Sequence, residues 1–156
     1  MKLLVLSLSL CLSLSFLVAQ AAMAKGQPGN ASTNVKVVQK FYDEVLNRQN
    51  LQALPLVVAS NYSQAFPASA KRSRTVGSLS SHLKAVYAAM PDLKFTLNDV
   101  AGQNNVVFAH WSASATHAGK PMSFQGITMF RLSGGKIADM FVAADPGMFN
   151  RQPGKQ

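Results

Sequence analysis

The sequence predicts an α+β domain in which helices of the first half pack on one face of a sheet built by the second half. Two observations carry this. Up to Pro91 the apolar residues recur at spacings of three and four, and after Pro91 they recur at two. Helices followed by a meander of strands is an α+β pattern. No internal repeat interrupts it, so one domain is expected.

The N-terminal residues are set apart before the fold. Met1-Lys2 is a short positive start, and residues 3 to 19 form an unbroken Leu/Ser/Val run. Ala19-Gln20-Ala21 and Ala22-Met23-Ala24 then supply small-x-small cleavage patterns. This is the layout of a secretory signal peptide over residues 1–24, cut after Ala21 or Ala24. The run is at the short edge of a membrane span, and the expected product carries no membrane segment. Its expected location is the periplasm or the exterior.

Cleavage after Ala24 leaves 132 residues, 14 of them basic and six acidic, net +8. Cys11 departs with the leader, so neither disulfide nor thiol chemistry is expected. The positive charge favours acidic partners. The basic residues are scattered, however, and the cluster Lys71-Arg72-Ser73-Arg74 has no interleaved aromatics. It reads as a solvated loop, and no nucleic-acid partner is expected. Residues 25–32 read as a flexible leader and residues 33–154 as the domain.

Each element has its own signal. From Thr33 to Asn47, the residues Val35, Val38, Phe41, Tyr42, Val45 and Leu46 make one buried helical stripe, which Ser32 or Thr33 can cap. A shorter helix falls within residues 51 to 59, limited by Pro55. A third runs from Ser78 to Met90 and stops at Pro91. Phe95, Leu97 and Val100 mark the first strand. In the second, Val107, Ala109, Trp111, Ala113, Ala115 and His117 share a face. The third covers Met122 to Leu132. Ser133-Gly134-Gly135 turns the chain into a fourth, Lys136 to Ala144.

Alternation then suggests which side chains meet. Ile137, Asp139, Phe141, Ala143 and Asp145 share parity on the last strand. Gly126, Thr128 and Phe130 can line the strand before it. The small Ala109, Ala113 and Ala115 leave space beside Trp111 and His117, so a cavity can form between sheet and helices. An Asp145 carboxylate facing that cavity would have its pKa raised by desolvation and could act as a general base. It could equally cap the turn at Pro146-Gly147, a common role for Asp.

Geometry excludes several chemistries. Asp139 and Asp145, six strand residues apart, lie about 20 Å from each other, whereas paired glycosidase carboxylates need roughly 5–9.5 Å. His110 and His117 have opposite parity and His82 sits on a helix, so no metal site is expected. Phosphate-binding, dinucleotide, HExxH and GxSxG motifs are absent from the sequence.

Four segments in order carry a family resemblance: "MPDLKF" after the third helix, "WSASATHAG", "FQGITMFRLSGGKIADMF", and the closing "DPGMFNRQPG". From Val35 to Gly154 the chain resembles the SnoaL-like polyketide cyclases and ester cyclases of the nuclear transport factor 2-like superfamily. The resemblance implies a cone-shaped, curved, mostly antiparallel sheet, wrapped by about three N-terminal helices around a pocket. It implies a homodimer formed through the outer sheet face, where Ile127 and Met129 fall. It places the proton-abstracting base at Asp145 and a donor to an enolate oxygen at His117. Trp111, Phe141, Phe130, Gly126, Thr128 and Tyr42 become the expected ligand contacts. No metal or organic cofactor is implied. The family's "DYxQHNP" segment usually carries a pocket His, and this chain has Ala65 there, in "NYSQAFP".

Two functions follow as expectations. One is an exported protein whose apolar pocket takes a small carbonyl-bearing or polycyclic ligand, with cyclase- or isomerase-type proton transfer at Asp145. The other is a non-catalytic ligand-binding or homodimeric accessory module, favoured by Ala65 and the export signal.

Overall fold

The computed structural model describes residues 30–66 and 69–144. Helix α1 (Ala31–Lys40) continues as a π-helix through Phe41–Asn47, and a 3-10 turn at Leu51–Ala53 leads into α2 (Leu54–Val57). Strands β1 (Val58–Phe66) and β2 (Ser69–Thr75) follow, then α3 (Val76–Ala89). The chain ends in β3 (Lys94–Gln103), β4 (Val106–His117), β5 (Lys120–Ser133) and β6 (Lys136–Ala144). The expected signal peptide lies outside the described residues. Among those described, no helix is long and apolar enough to cross a membrane.

Six strands form one sheet in the order β2-β1-β6-β5-β4-β3. The meander β3 to β6 is the one that alternation predicts. Strands β1 and β2 are additional, and their β2 part corrects the loop expected at Lys71-Arg72-Ser73-Arg74. Strand β1 runs parallel to β6 and antiparallel to β2. Its register explains why no period of two announces it. Between the pairs Val58↔Ile137 and Ser63↔Asp139 it advances five residues against two on β6. Val58 and Tyr62 are buried while Ser60, between them in the alternation, is exposed.

The inner face alternates large and small across neighbouring strands. Phe95, Ala113 and Phe124 form one row, and Leu97, Trp111, Gly126 and Ala144 the next. Ala113 makes room for the rings on either side. Gly126 does so for the indole, since a Cβ there would stand 2.6 Å from Trp111 Cζ2 and 2.7 Å from the Ala143 carbonyl oxygen. The expected small residues are thus real, but they seat aromatic rings and do not leave empty space themselves. Ala109, Ala113 and Ala115 are all buried.

The helical segment closes over this face. Asn30 caps α1 through the Ser32 N–H, so the helix begins two residues before Thr33 and the expected leader 25–32 overlaps it. Asn34, buried and polar, donates to the Asn104 carbonyl at 2.8 Å. Gly102 lets the helix approach, because a Cβ there would meet Val35 Cγ2 at 2.9 Å. The π-helical turns carry Phe41, Tyr42, Val45 and Leu46, all buried. More residues per turn bring Phe41 over Val45 and Tyr42 over Leu46, which narrows the buried stripe. At the end of the π-helix, Asn47 pairs with the backbone of edge strand β3: its Nδ2 donates to the Phe95 carbonyl at 3.0 Å, and its Oδ1 accepts the Phe95 N–H at 2.8 Å.

Helix α3 is capped by Thr75, whose hydroxyl accepts the Ser78 N–H at 3.1 Å, and buries Leu79, Leu83 and Tyr87. It starts two residues earlier than the spacing predicts. Tyr87 donates its hydroxyl proton to the Val45 carbonyl at 2.8 Å, joining α3 to the π-helix in a buried bond. Tyr87→Phe leaves that carbonyl unpaired. We expect it to cost about 1–3 kcal/mol of unfolding free energy, read as a lower urea midpoint at constant slope. An unchanged midpoint would show that the bond does not hold the two helices together.

Candidate functional site

Between α3, the π-helix and the inner face of the sheet lies a cavity of about 350 Å³. Leu79, Leu83 and Val86 of α3, with Met90 just after it, form one wall, and Trp111, Phe124, Thr128, Phe130, Met140 and Val142 of the sheet form the other. The aromatic rings touch edge to face in a continuous series. Phe41 and Tyr42 both meet Phe130, Tyr42 meets Phe95, Phe95 meets Trp111, and Trp111 meets Phe124, with centroids 5.4–6.1 Å apart. The offset edge-to-face geometry is the favoured one for ring pairs.

The polar groups in this wall are few and mostly occupied. Trp111 Nε1–H donates to Thr128 Oγ1 at 2.9 Å, and the Thr128 side chain lies near the Tyr42 hydroxyl. Tyr62, behind the wall, donates to Gln64 Oε1, and Gln64 lines the cavity. His82 sits at the edge, on the exposed side of α3. The spacing gave no reason to single out Gln64, because the irregular register of β1 hides which of its residues face inward.

Of the expected site residues, Tyr42, Trp111, Thr128 and Phe130 line this cavity together. Gly126 lies beneath Trp111 and gives it room. Two assignments are corrected. Phe141 is on the outer face, 43% exposed, and does not wall the pocket. His117 has the parity of Trp111 but stands at the tip of β4, exposed, where it pairs with Lys120 across the turn. It does not line the cavity.

The reason for the first correction is a β-bulge. Leu132 pairs with Ile137 but Arg131 pairs with Asp139, so Ala138 is an extra residue in β6. The shared face expected for Ile137, Asp139, Phe141 and Ala143 is broken there. Beyond Ala138 it is Met140, Val142 and Ala144 that look into the cavity. Asp139 instead accepts from Ser63 and lies 3.5 Å from Arg131 Nη1. Asp145 lies outside the described residues, directly after Ala144.

No acidic side chain lines the cavity among the described residues. Glu44 pairs with Arg48 at 2.9 Å, and Asp99 with His110 at 3.5 Å. Exposed Asp92 accepts the Thr116 N–H, which holds its carboxyl below the usual range. Also among these residues, no three His, Cys, Asp or Glu side chains converge as a metal site would require.

Burial acts on the tyrosines. Burial pushes Tyr42 well above the ordinary phenol value, against a smaller opposing effect of the Thr128 bond. Burial and then the charge of Asp139 raise Tyr62, and burial pushes Tyr87 up to about 12. These are the chain's three tyrosines. Because the neutral phenol is favoured in the fold, this stability is full below the ordinary value of about 10. It is lost progressively as pH rises from about 10 toward the folded values, about 12 for Tyr87. Phenolate absorbance of the native protein should stay flat where urea-unfolded protein titrates, then rise together with loss of circular dichroism. A tyrosine ionising at its ordinary value in the native state would contradict its burial.

Against known proteins, residues 36–152 match the model of the SnoaL-like polyketide cyclase family. No curated protein matches the chain. Among solved structures, a protein described as a polyketide cyclase from Acidithiobacillus ferrooxidans superposes with a TM-score of 0.69 at 20% identity, over 78% of this chain and 94% of its own. A SnoaL-like polyketide cyclase from Jannaschia sp. gives 0.69 at 14%, over 82% and 100%. An epoxide hydrolase from Mycobacterium tuberculosis gives 0.67 at 12%, over 76% and 88%. At these identities the structures share the fold, a curved sheet closed by helices. The family match spans most of the sequence and the apolar cavity lies where that fold closes: this chain belongs to the SnoaL-like polyketide cyclase family.

Proposed function

We propose that this protein is an exported member of the family whose pocket holds a small, apolar, carbonyl-bearing ligand and moves a proton on it, with Asp145 as base. One observation carries the reading. The apolar cavity is bounded by Ala144, and the next residue in the sequence is the carboxylate that the family resemblance implies as the base. The other five acidic residues are described and none of them lines the cavity. A carboxylate brought to such a wall would be desolvated and hence more basic. In a ring-closing or isomerising step it would take a proton from carbon next to the carbonyl, and the enolate oxygen would need a hydrogen-bond donor.

The test starts from the mature protein, purified from the envelope fraction of its host, with Ala22 or Lys25 expected at the N-terminus after cleavage at Ala21 or Ala24. Native mass spectrometry identifies the small molecule that travels with it. Wild type should convert that ligand, and Asp145→Asn should bind it while losing at least about a hundredfold in turnover, as loss of a general base does. Full turnover in Asp145→Asn would remove the base. Binding by both with conversion by neither would make the protein a carrier. That second reading draws support from Ala65 and from the self-satisfied polar groups of the wall. An uncleaved or cytoplasmic protein would refute export.

The reading includes a homodimer through the outer sheet face. Phe108, Ile127 and Phe141 are 49%, 50% and 43% exposed there. Cross-strand pairing puts Phe108, Met129 and Phe141 in one row, with Ile127 in the next. Exposed apolar groups so contiguous mark an association surface. Sedimentation should show a wild-type dimer and a folded Ile127→Lys monomer. A monomeric wild type would refute the dimer.

A further inference from the structure

The polar groups of the cavity differ in what they have left to offer a ligand. Trp111 spends its N–H on Thr128, and Tyr87 its hydroxyl proton on the Val45 carbonyl. Thr128 accepts from Trp111 and its side chain lies near the Tyr42 hydroxyl, which makes this pair the rival donor. Gln64 is different, because its committed atom is the oxygen, which accepts from Tyr62. Tyr62 is 1% exposed, and a flipped amide would leave its buried O–H without an acceptor. The amide nitrogen is therefore turned away from Tyr62 and has no hydrogen-bond partner among the described residues. Gln64 stands opposite Met140 in the β1–β6 pairing, and both line the cavity. Strand β1 is irregular on each side of Gln64 in its pairing with β2, a distortion of the kind that re-aims a side chain toward a site.

We propose that Gln64 is the specificity-determining donor of this pocket: its amide N–H donates to the carbonyl oxygen of an uncharged one- or two-ring ketone or lactone, and Tyr62 holds the amide in that orientation. The assignment rests on the cavity being a ligand site, as proposed above. Size supports the ligand class, since about 350 Å³ lies near the lower end of the roughly 300–1,000 Å³ of small-molecule sites. Charge supports it as well. The described lining has no Lys, Arg, Asp or Glu, so a carboxylate or phosphate entering it would lose hydration and meet no counter-charge. A carbonyl oxygen needs one donor, and Gln64 supplies it. The same N–H would stabilise negative charge gathering on that oxygen, the role that exposed His117 is not placed to fill.

Trp111 is the chain's one tryptophan and lines the cavity, so its emission reports occupancy. The mature protein is titrated with acetylnaphthalene, with ethylnaphthalene of the same shape but no carbonyl, with naphthoate, and with tetracyclic naphthacenequinone. The ketone should bind about three- to tenfold more tightly than the hydrocarbon, the range of one neutral hydrogen bond. Naphthoate and the tetracycle should bind much more weakly than the ketone. Gln64→Leu should erase the preference for the ketone. That variant strands the Tyr62 hydroxyl, so the double variant Tyr62→Phe/Gln64→Leu, which removes both partners, is measured beside it and should erase the preference too. A preference that survives both variants and disappears in Tyr42→Phe would put the donor on the Tyr42–Thr128 pair and overturn the assignment, with the pocket still a ligand site. Equal binding of naphthoate or the tetracycle would overturn the ligand class. Quenching by none of the four would overturn the pocket reading and the Gln64 assignment with it.

Discussion

The edge-to-face series from Phe41 and Tyr42 through Phe130, Phe95 and Trp111 to Phe124 constrains the rest of the interior. Each such pair contributes about 0.5–1.5 kcal/mol beyond the area it buries. Rings are also stiff. They meet at defined angles and cannot flow into the remaining volume as leucine or methionine side chains do. The same contacts tie the π-helix to β3, β4 and β5, and the cavity lies between this aromatic wall and α3.

This arrangement depends on small residues where rings need room. Gly126 lies under the indole, and Ala113 sits between Phe95 and Phe124. The polar atoms that a wet pocket would expose are tied within the wall, Trp111 to Thr128 and Tyr87 to Val45. The result is an apolar container with very few free donors. Relatives that share the fold at 12–20% identity need not share that container, because the fold can keep its sheet and helices while every lining side chain changes.

Legibility in the sequence followed regularity of the backbone. Strand β4 alternates without interruption from Val107 to Ala115, and both its face and Trp111 could be read directly. Strand β6 alternates only after its bulge. One extra residue at Ala138 moved Asp139, Phe141 and Ala143 to the other side, so the shared face with Asp145 could not be read by counting. Strand β1 pairs irregularly with both neighbours, and β2 has a single apolar residue, Ala70, to report it. His117 kept the right parity and was still misplaced, because parity tells the face and not how far along the strand the pocket extends.

Composition and spacing alone establish the α+β class, the two principal helices, the four-strand meander and the inward direction of Tyr42, Trp111, Thr128 and Phe130. These follow from local periodicity, which each element carries in its own residues. The partnership of β1 with β6, the bulge at Ala138 and the orientation of Gln64 by Tyr62 belong to the folded chain. Each arises from contact between segments tens of residues apart. A hydrogen bond or register shift between such segments leaves no period in either one.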